Sequence, residues 1–265
     1  PDVRVGNPAF DNFLYGGILA DAARFYGKMF TGRAESCIRA AKEDFAAALA
    51  RYRQCGVELP TEAHEHTYPT GKSGYYAAAC WGASRLFAYT GEQAYADIAR
   101  EFGSLLLACQ ETGDAGIGIT GFFYREEEHR YAVHHNHQSR EHLFMQALCA
   151  LAETQPSHKE HPLWDAAIRL YAGYLKDIYA EAAPYGMIPA GIYHEDEGEN
   201  EELFRRTNPG SDYERERPNY RLQVRAGRPL GNGFYLRCFP VWFSFRGNAA
   251  VTLSTGFGAA VAGRY

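Results

Sequence analysis

The sequence predicts an all-α domain, and three observations predict it. Apolar residues recur at three- and four-residue steps in eight segments, at about 9–31, 35–55, 72–89, 92–111, 138–154, 162–182, 235–246 and 248–262. Gly32, Gly56, Gly91 and Gly113 each close such a segment, where a left-handed residue is wanted after a helix. No convincing strand series interrupts them. With 265 residues, 46% of them apolar, the chain has enough material for a sizeable core and reads as one domain over 1–265. It begins at Pro1 without Met, so it is also read as a possible part of a longer chain.

The helices follow in order. The second carries Phe45-Ala46-Ala47-Ala48-Leu49-Ala50 and the third Tyr76-Ala77-Ala78-Ala79-Cys80, small-residue runs that suit close helix packing. Thr90-Gly91-Glu92 reads as a tight link between antiparallel helices. Short links also join helices one and two, around 31–34, and seven and eight, around 246–248. Helices five and six are joined by an intermediate link containing Pro156 and Pro162. The other connections, about 56–71, 112–137 and 183–234, are long. Antiparallel helices alternate their connections between two ends, so the three long ones are expected at the same end. Long loops in compact domains usually carry function. Eight of the ten histidines fall in or beside these segments: His64, His66, His129, His134, His135, His137, His142 and His194. That end is the expected working face.

Composition narrows the function. Lys and Arg number 27 against 32 Asp and Glu, a net charge of −5, and no basic run interleaves with aromatics, so nucleic acid is not an expected partner. No apolar stretch approaches the ~20 residues of a membrane span. Six scattered cysteines, with no CxxC or CxH spacing, are read as free buried thiols in a reducing, cytoplasmic compartment. Phosphate-binding GxxxxGK[ST] and the GxSxG elbow are both missing. Gly116-Ile117-Gly118-Ile119-Thr120-Gly121 is glycine-rich but lacks a following Lys and a strand–helix setting, so it reads as a loop.

Trp81-Gly82-Ala83-Ser84-Arg85-Leu86-Phe87-Ala88-Tyr89-Thr90-Gly91 and Tyr95-Ala96-Asp97-Ile98-Ala99 resemble the helical hairpins of the six-hairpin glycosidase superfamily. Phe239-Pro240-Val241-Trp242-Phe243-Ser244-Phe245-Arg246-Gly247-Asn248, followed by a small-residue helix, does so too. Within that superfamily the chain is most similar to bacterial proteins resembling glycoside hydrolase family 9. The resemblance covers about residues 70–262 and implies an (α/α) toroid of antiparallel hairpins. Two departures stand out: the Asp-x-Gly-Asp signature of family 9 is absent, with only Asp114-Ala115-Gly116 as a fragment, and eight helices fall short of six hairpins. The ring is therefore expected to be incomplete or partial.

Glycoside hydrolysis needs two carboxyl groups, one protonated and one ionised. Tyr193-His194-Glu195-Asp196-Glu197 is the expected carboxylate-bearing loop, with Glu195 and Asp196 as catalytic candidates. Glu141, at the start of the fifth helix, is a third candidate, with a helix-capping role as its alternative. Glu126-Glu127-Glu128 reads as a solvated face. The densest polar group is His134-His135-Asn136-His137 with Arg140 and Glu141. There His137 is a catalytic candidate, because imidazole supplies a near-neutral base.

His66, Tyr68, Tyr124, His135, Asn136, Arg140, Tyr193, His194, Arg237 and Trp242 are the expected substrate-binding residues: rings for sugar faces, polar groups for hydroxyls or a uronate. Trp81 and Trp164 sit at helical spacing and are read as core. His64-x-His66 and His135-x-His137 suit metal ligands on extended chain, but a zinc site needs three or four converging groups, so neither metal nor cofactor is expected. The expected activity is glycoside hydrolysis on an oligo- or polysaccharide. A polysaccharide lyase acting by His- or Tyr-assisted β-elimination on uronate glycans is the alternative, and a non-catalytic helical scaffold the third reading. Sugar, linkage and oligomeric state are left open.

Overall fold

The computed structural model describes residues 9–27, 29–58, 71–133, 142–181, 189–198, 201–202, 205, 212, 214 and 227–240. Among them are six α-helices: α1 (Ala9–Tyr26), α2 (Thr31–Cys55), α3 (Lys72–Thr90), α4 (Gln93–Leu107), α5 (His142–Thr154) and α6 (His161–Glu181). Three strands follow, β1 (Pro189–His194), β2 (Arg228–Gly231) and β3 (Phe234–Pro240), with a single 3₁₀ turn, Glu195–Gly198, directly after β1. The molecule is mostly helical but not all-α. The expected seventh helix, 235–246, is the element that fails. Its described part is strand β3, while 241–246 and the expected helix 248–262 lie outside the described residues.

The helices pair as the short links dictate, α1 with α2, α3 with α4 and α5 with α6. Between pairs, α1 packs on α3 and α3 on α5, so the odd helices form a continuous row backed by the even ones. Burial explains the division. In α3 every residue from Ser73 to Cys80 is buried, as is α5 from Leu143 to Met145 and Ala147 to Ala152. A helix apolar on all sides belongs inside. By contrast α2 buries only a stripe, Ala34, Ala41, Phe45 and Ala48, and α4 only Ala96, Ala99, Phe102, Gly103 and Leu106.

Small residues set how closely the row packs. A β-carbon on Gly17 would stand 2.4 Å from the Trp81 ring, and one on Gly82 would stand 2.5 Å from the Phe13 carbonyl oxygen. Side chains there would push α1 and α3 apart. Into the space between pairs goes an aromatic cluster: Phe13 meets Phe45, Tyr75 and Phe102 edge-on at centroid distances of 5.0, 5.5 and 5.7 Å. Removing such a fully buried ring typically costs about 3–5 kcal/mol. Trp164 is buried, and Trp81 is partly buried against the same core. No described helix is long and apolar enough to cross a membrane.

The sheet is antiparallel in the order β1-β3-β2. In β3 Phe234 and Leu236 are buried while Tyr235 between them is half-buried, a two-residue period that belongs to a strand. Asn232 and Gly233 join β2 to β3, with Gly231 opposite Phe234.

The described parts of the three long connections meet. The N-terminus of α3, where the first ends, is bound to the second: Ser73 N–H donates to the Arg125 carbonyl at 3.0 Å, and Lys72 faces Glu127 at 3.2 Å. The second in turn reaches the third, with Arg130 on Asp196 at 2.7 Å and the Asn232 amide on the Ala115 carbonyl at 2.9 Å.

Candidate functional site

The connection after α4 is organised from within by Glu111. This carboxylate has no solvent exposure. Its Oε1 accepts the N–H groups of Gly113 and Ala115, at 2.6 and 3.0 Å, and its Oε2 accepts the Tyr124 hydroxyl at 2.6 Å. The Glu111 backbone closes the loop as well, donating to the Phe122 carbonyl and accepting from Gly121. Tyr124, expected on a cleft wall, is thus 1% exposed and spent on Glu111. Its phenol is pushed upward by burial and by that acid. The ring binds no substrate from there, because a side chain without solvent access meets no sugar.

Further along, Glu126-Glu127-Glu128 is not a purely solvated face. Lys72 lies 3.9, 3.2 and 3.4 Å from the three carboxylates in turn, and Tyr76 donates its hydroxyl to Glu127 at 2.5 Å. Burial pushes the Glu127 carboxyl up, but the hydrogen bonds from Tyr76 and Lys72 outweigh it and hold the group below its ordinary value. The run therefore fastens the loop to the start of α3.

The remaining group gathers at the end of β1. His194 Nδ1 stands 2.5 Å from Asp196 Oδ1. The other carboxylate oxygen accepts Arg130 at 2.7 Å and the Tyr131 hydroxyl at 3.3 Å. Burial pushes Asp196 up; Arg130 and His194 reverse the sign and hold it below the usual carboxylate range. An ionised carboxylate only accepts, so the imidazole nitrogen facing it carries the proton. The Asp196 N–H, 3.4 Å from the same nitrogen, is then no donor to it. The ring of His194 packs edge-on against Phe234 at 4.9 Å. About a third of the Asp196 side-chain surface remains open, and neighbouring Glu195 is exposed.

The structure therefore brings together His194, Glu195 and Asp196, all anticipated, with Arg130 and Tyr131, which were not. Tyr193 is buried in β1 opposite Tyr235, on the strand rather than at the surface. Arg237 is placed by its backbone opposite Gly191. His66, Tyr68, His135, Asn136, His137, Arg140, Glu141 and Trp242 lie outside the described residues, as do both His-x-His pairs. Among the described residues no three His, Cys, Asp or Glu are grouped to hold a metal ion.

Chemically, the cluster offers an ionised carboxylate with water access, an imidazole oriented by it and a fixed guanidinium. Such a carboxylate is suited to accept a proton or attack an electrophile; it is a poor proton donor at neutral pH. No family model, curated protein or solved structure matches the chain.

Proposed function

We propose that the chain is a carbohydrate-active enzyme, a glycoside hydrolase built on an arc of an (α/α) toroid of the six-hairpin type. The observation that carries the reading is the ionised, partly open Asp196 at the end where the described parts of all three long connections meet. The row of odd helices backed by even ones supports the arc. So does its end: α1 leaves Tyr15, Ile18 and Phe25 exposed, whereas α3 in the middle exposes only Tyr89 among its large apolar side chains. In this reading Asp196 is the base or nucleophile, and Glu195 beside it supplies the second carboxyl group that the reaction needs. Arg130 holds Asp196 ionised.

The test is to incubate the full chain with a panel of neutral and uronate-containing glycans and to assay new reducing ends and near-ultraviolet absorbance together. Reducing ends without absorbance, lost about a thousandfold in Asp196→Asn and strongly reduced in Glu195→Gln, are expected. Absorbing, unsaturated products favour the lyase, a reading that the Asp196-oriented imidazole of His194 also suits. Neither signal on any glycan overturns both and leaves the scaffold.

A further inference from the structure

The two residues that join β2 to β3, Asn232 and Gly233, both have positive φ, +51° and +79°. Two left-handed residues in a two-residue link make the turn whose twist matches antiparallel strands, and Asn-Gly is the pair that adopts it at least strain. What this turn touches is more informative than its type. On one side the Asn232 carboxamide donates to the Ala115 carbonyl at 2.9 Å. Ala115 is itself fixed by its N–H on the buried Glu111. On the other side the Gly233 carbonyl accepts the Glu195 N–H at 2.7 Å. The His194 ring presses so near that a β-carbon on Gly233 would stand 2.8 Å from its Nε2.

The Arg130–Asp196 pair cannot by itself fix this segment. Arg130 is 60% exposed, and a long exposed side chain follows its partner for at most about 1 kcal/mol. The pairing of β1 with β3 sets His194 opposite Phe234, but it stops there, and Glu195 and Asp196 lie beyond the ladder. We infer that Asn232 and Gly233 are positioning residues, a strap that carries the fixed geometry of the Glu111 loop across to His194, Glu195 and Asp196. Asn232 sets the distance between the two segments; Gly233, lacking a side chain, leaves room for the imidazole. The consequence for turnover rests on the hydrolase reading, whereas the placement of His194 does not.

The experiment uses the full chain and two variants. Asn232→Gly keeps positive φ accessible and removes only the tether; Gly233→Ala puts a β-carbon against His194. The His194 ring resonances, assigned by their loss in His194→Gln, are followed by proton–carbon NMR through a pH titration, with circular dichroism as the check on folding. Both variants are expected to move the His194 ring signals, Gly233→Ala further. Asn232→Asp, which offers the Ala115 carbonyl no donor, should fail to restore them. Where glycan cleavage is present, kcat in Asn232→Gly falls about tenfold with KM little changed. Superimposable His194 signals in both variants overturn the strap, whatever kcat does. Displaced signals in a chain that cleaves no glycan sustain the strap and sink the hydrolase reading.

Discussion

Glu111 and Asp196 are both carboxylates that accept a tyrosine hydroxyl, and both lie where the loop end is built. Glu111 has three neutral donors, two of them backbone N–H groups, and no contact with water. Asp196 has two basic partners and remains about a third open. The difference separates use from support. A carboxylate whose lone pairs are consumed by its own loop shapes that loop and can do nothing else. A carboxylate held ionised by side chains, with solvent still reaching it, is free to meet a reactant.

Mutation should split the two roles. Glu111→Ala strands a buried hydroxyl and leaves two part-buried N–H groups without their acceptor, and the loss expected is about 2–4 kcal/mol, read as a fall in the urea midpoint. Tyr124→Phe leaves the Glu111 carboxylate one donor short inside the protein; urea titration should register about 1–2 kcal/mol. Asp196→Asn is expected to change neutral stability by less than about 1 kcal/mol. Its effect lies in the acid limb. Because the folded pKa is depressed, the stabilisation by Asp196 is complete above the ordinary carboxylate value near ~4 and is lost as pH falls through the folded value. Thermal melts across that window should therefore decline less steeply in the variant, with Glu127, also held low, supplying part of the slope that remains. Smallest of all is Tyr131→Phe, whose 3.3 Å contact with the partly open Asp196 should be worth about 0.3 kcal/mol. Should Glu111→Ala prove mild and Tyr131→Phe severe, the contrast between the two carboxylates is reversed.

The helical half was legible because burial there is written in the sequence with a 3.6-residue period. Eight segments were expected, and the first six of them overlap α1 through α6. The end of α4 came four residues early because Gln110 already pairs with Phe123 across the loop. The strands were missed for a local reason. Phe234-Tyr235-Leu236-Arg237-Cys238-Phe239 is aromatic and apolar enough to pass for a helix, yet Asn232-Gly233 just before it is a strong short-range hairpin signal.

At the site, His194 and Asp196 stood out within the carboxylate-bearing run Tyr193-His194-Glu195-Asp196-Glu197. Their partners did not. Arg130 and Tyr131 lie more than sixty residues earlier, and no spacing rule links them to Asp196. Nor did Glu111 draw notice, although an acid followed by Gly113, Gly116, Gly118 and Gly121 is an acceptor facing a supply of backbone donors. Tyr124 was misjudged because a loop position says nothing of depth, and Phe122-Phe123-Tyr124 turned out to be one of the most deeply buried stretches of that loop.

The described thiols grade from open to sealed, and that gradient makes the protein report on its own breathing. Cys55 is exposed and Cys37 intermediate, while Cys80, Cys109 and Cys149 are buried. Desolvation pushes the Cys80 thiol up to about 12, so the sulfur is both hidden and protonated in the folded chain. An alkylating reagent should mark Cys55 at once and Cys37 more slowly. The three interior sulfurs should react only when the helix row comes apart, so their labelling rate, set against denaturant, times the opening of the core with no substitution made in the chain.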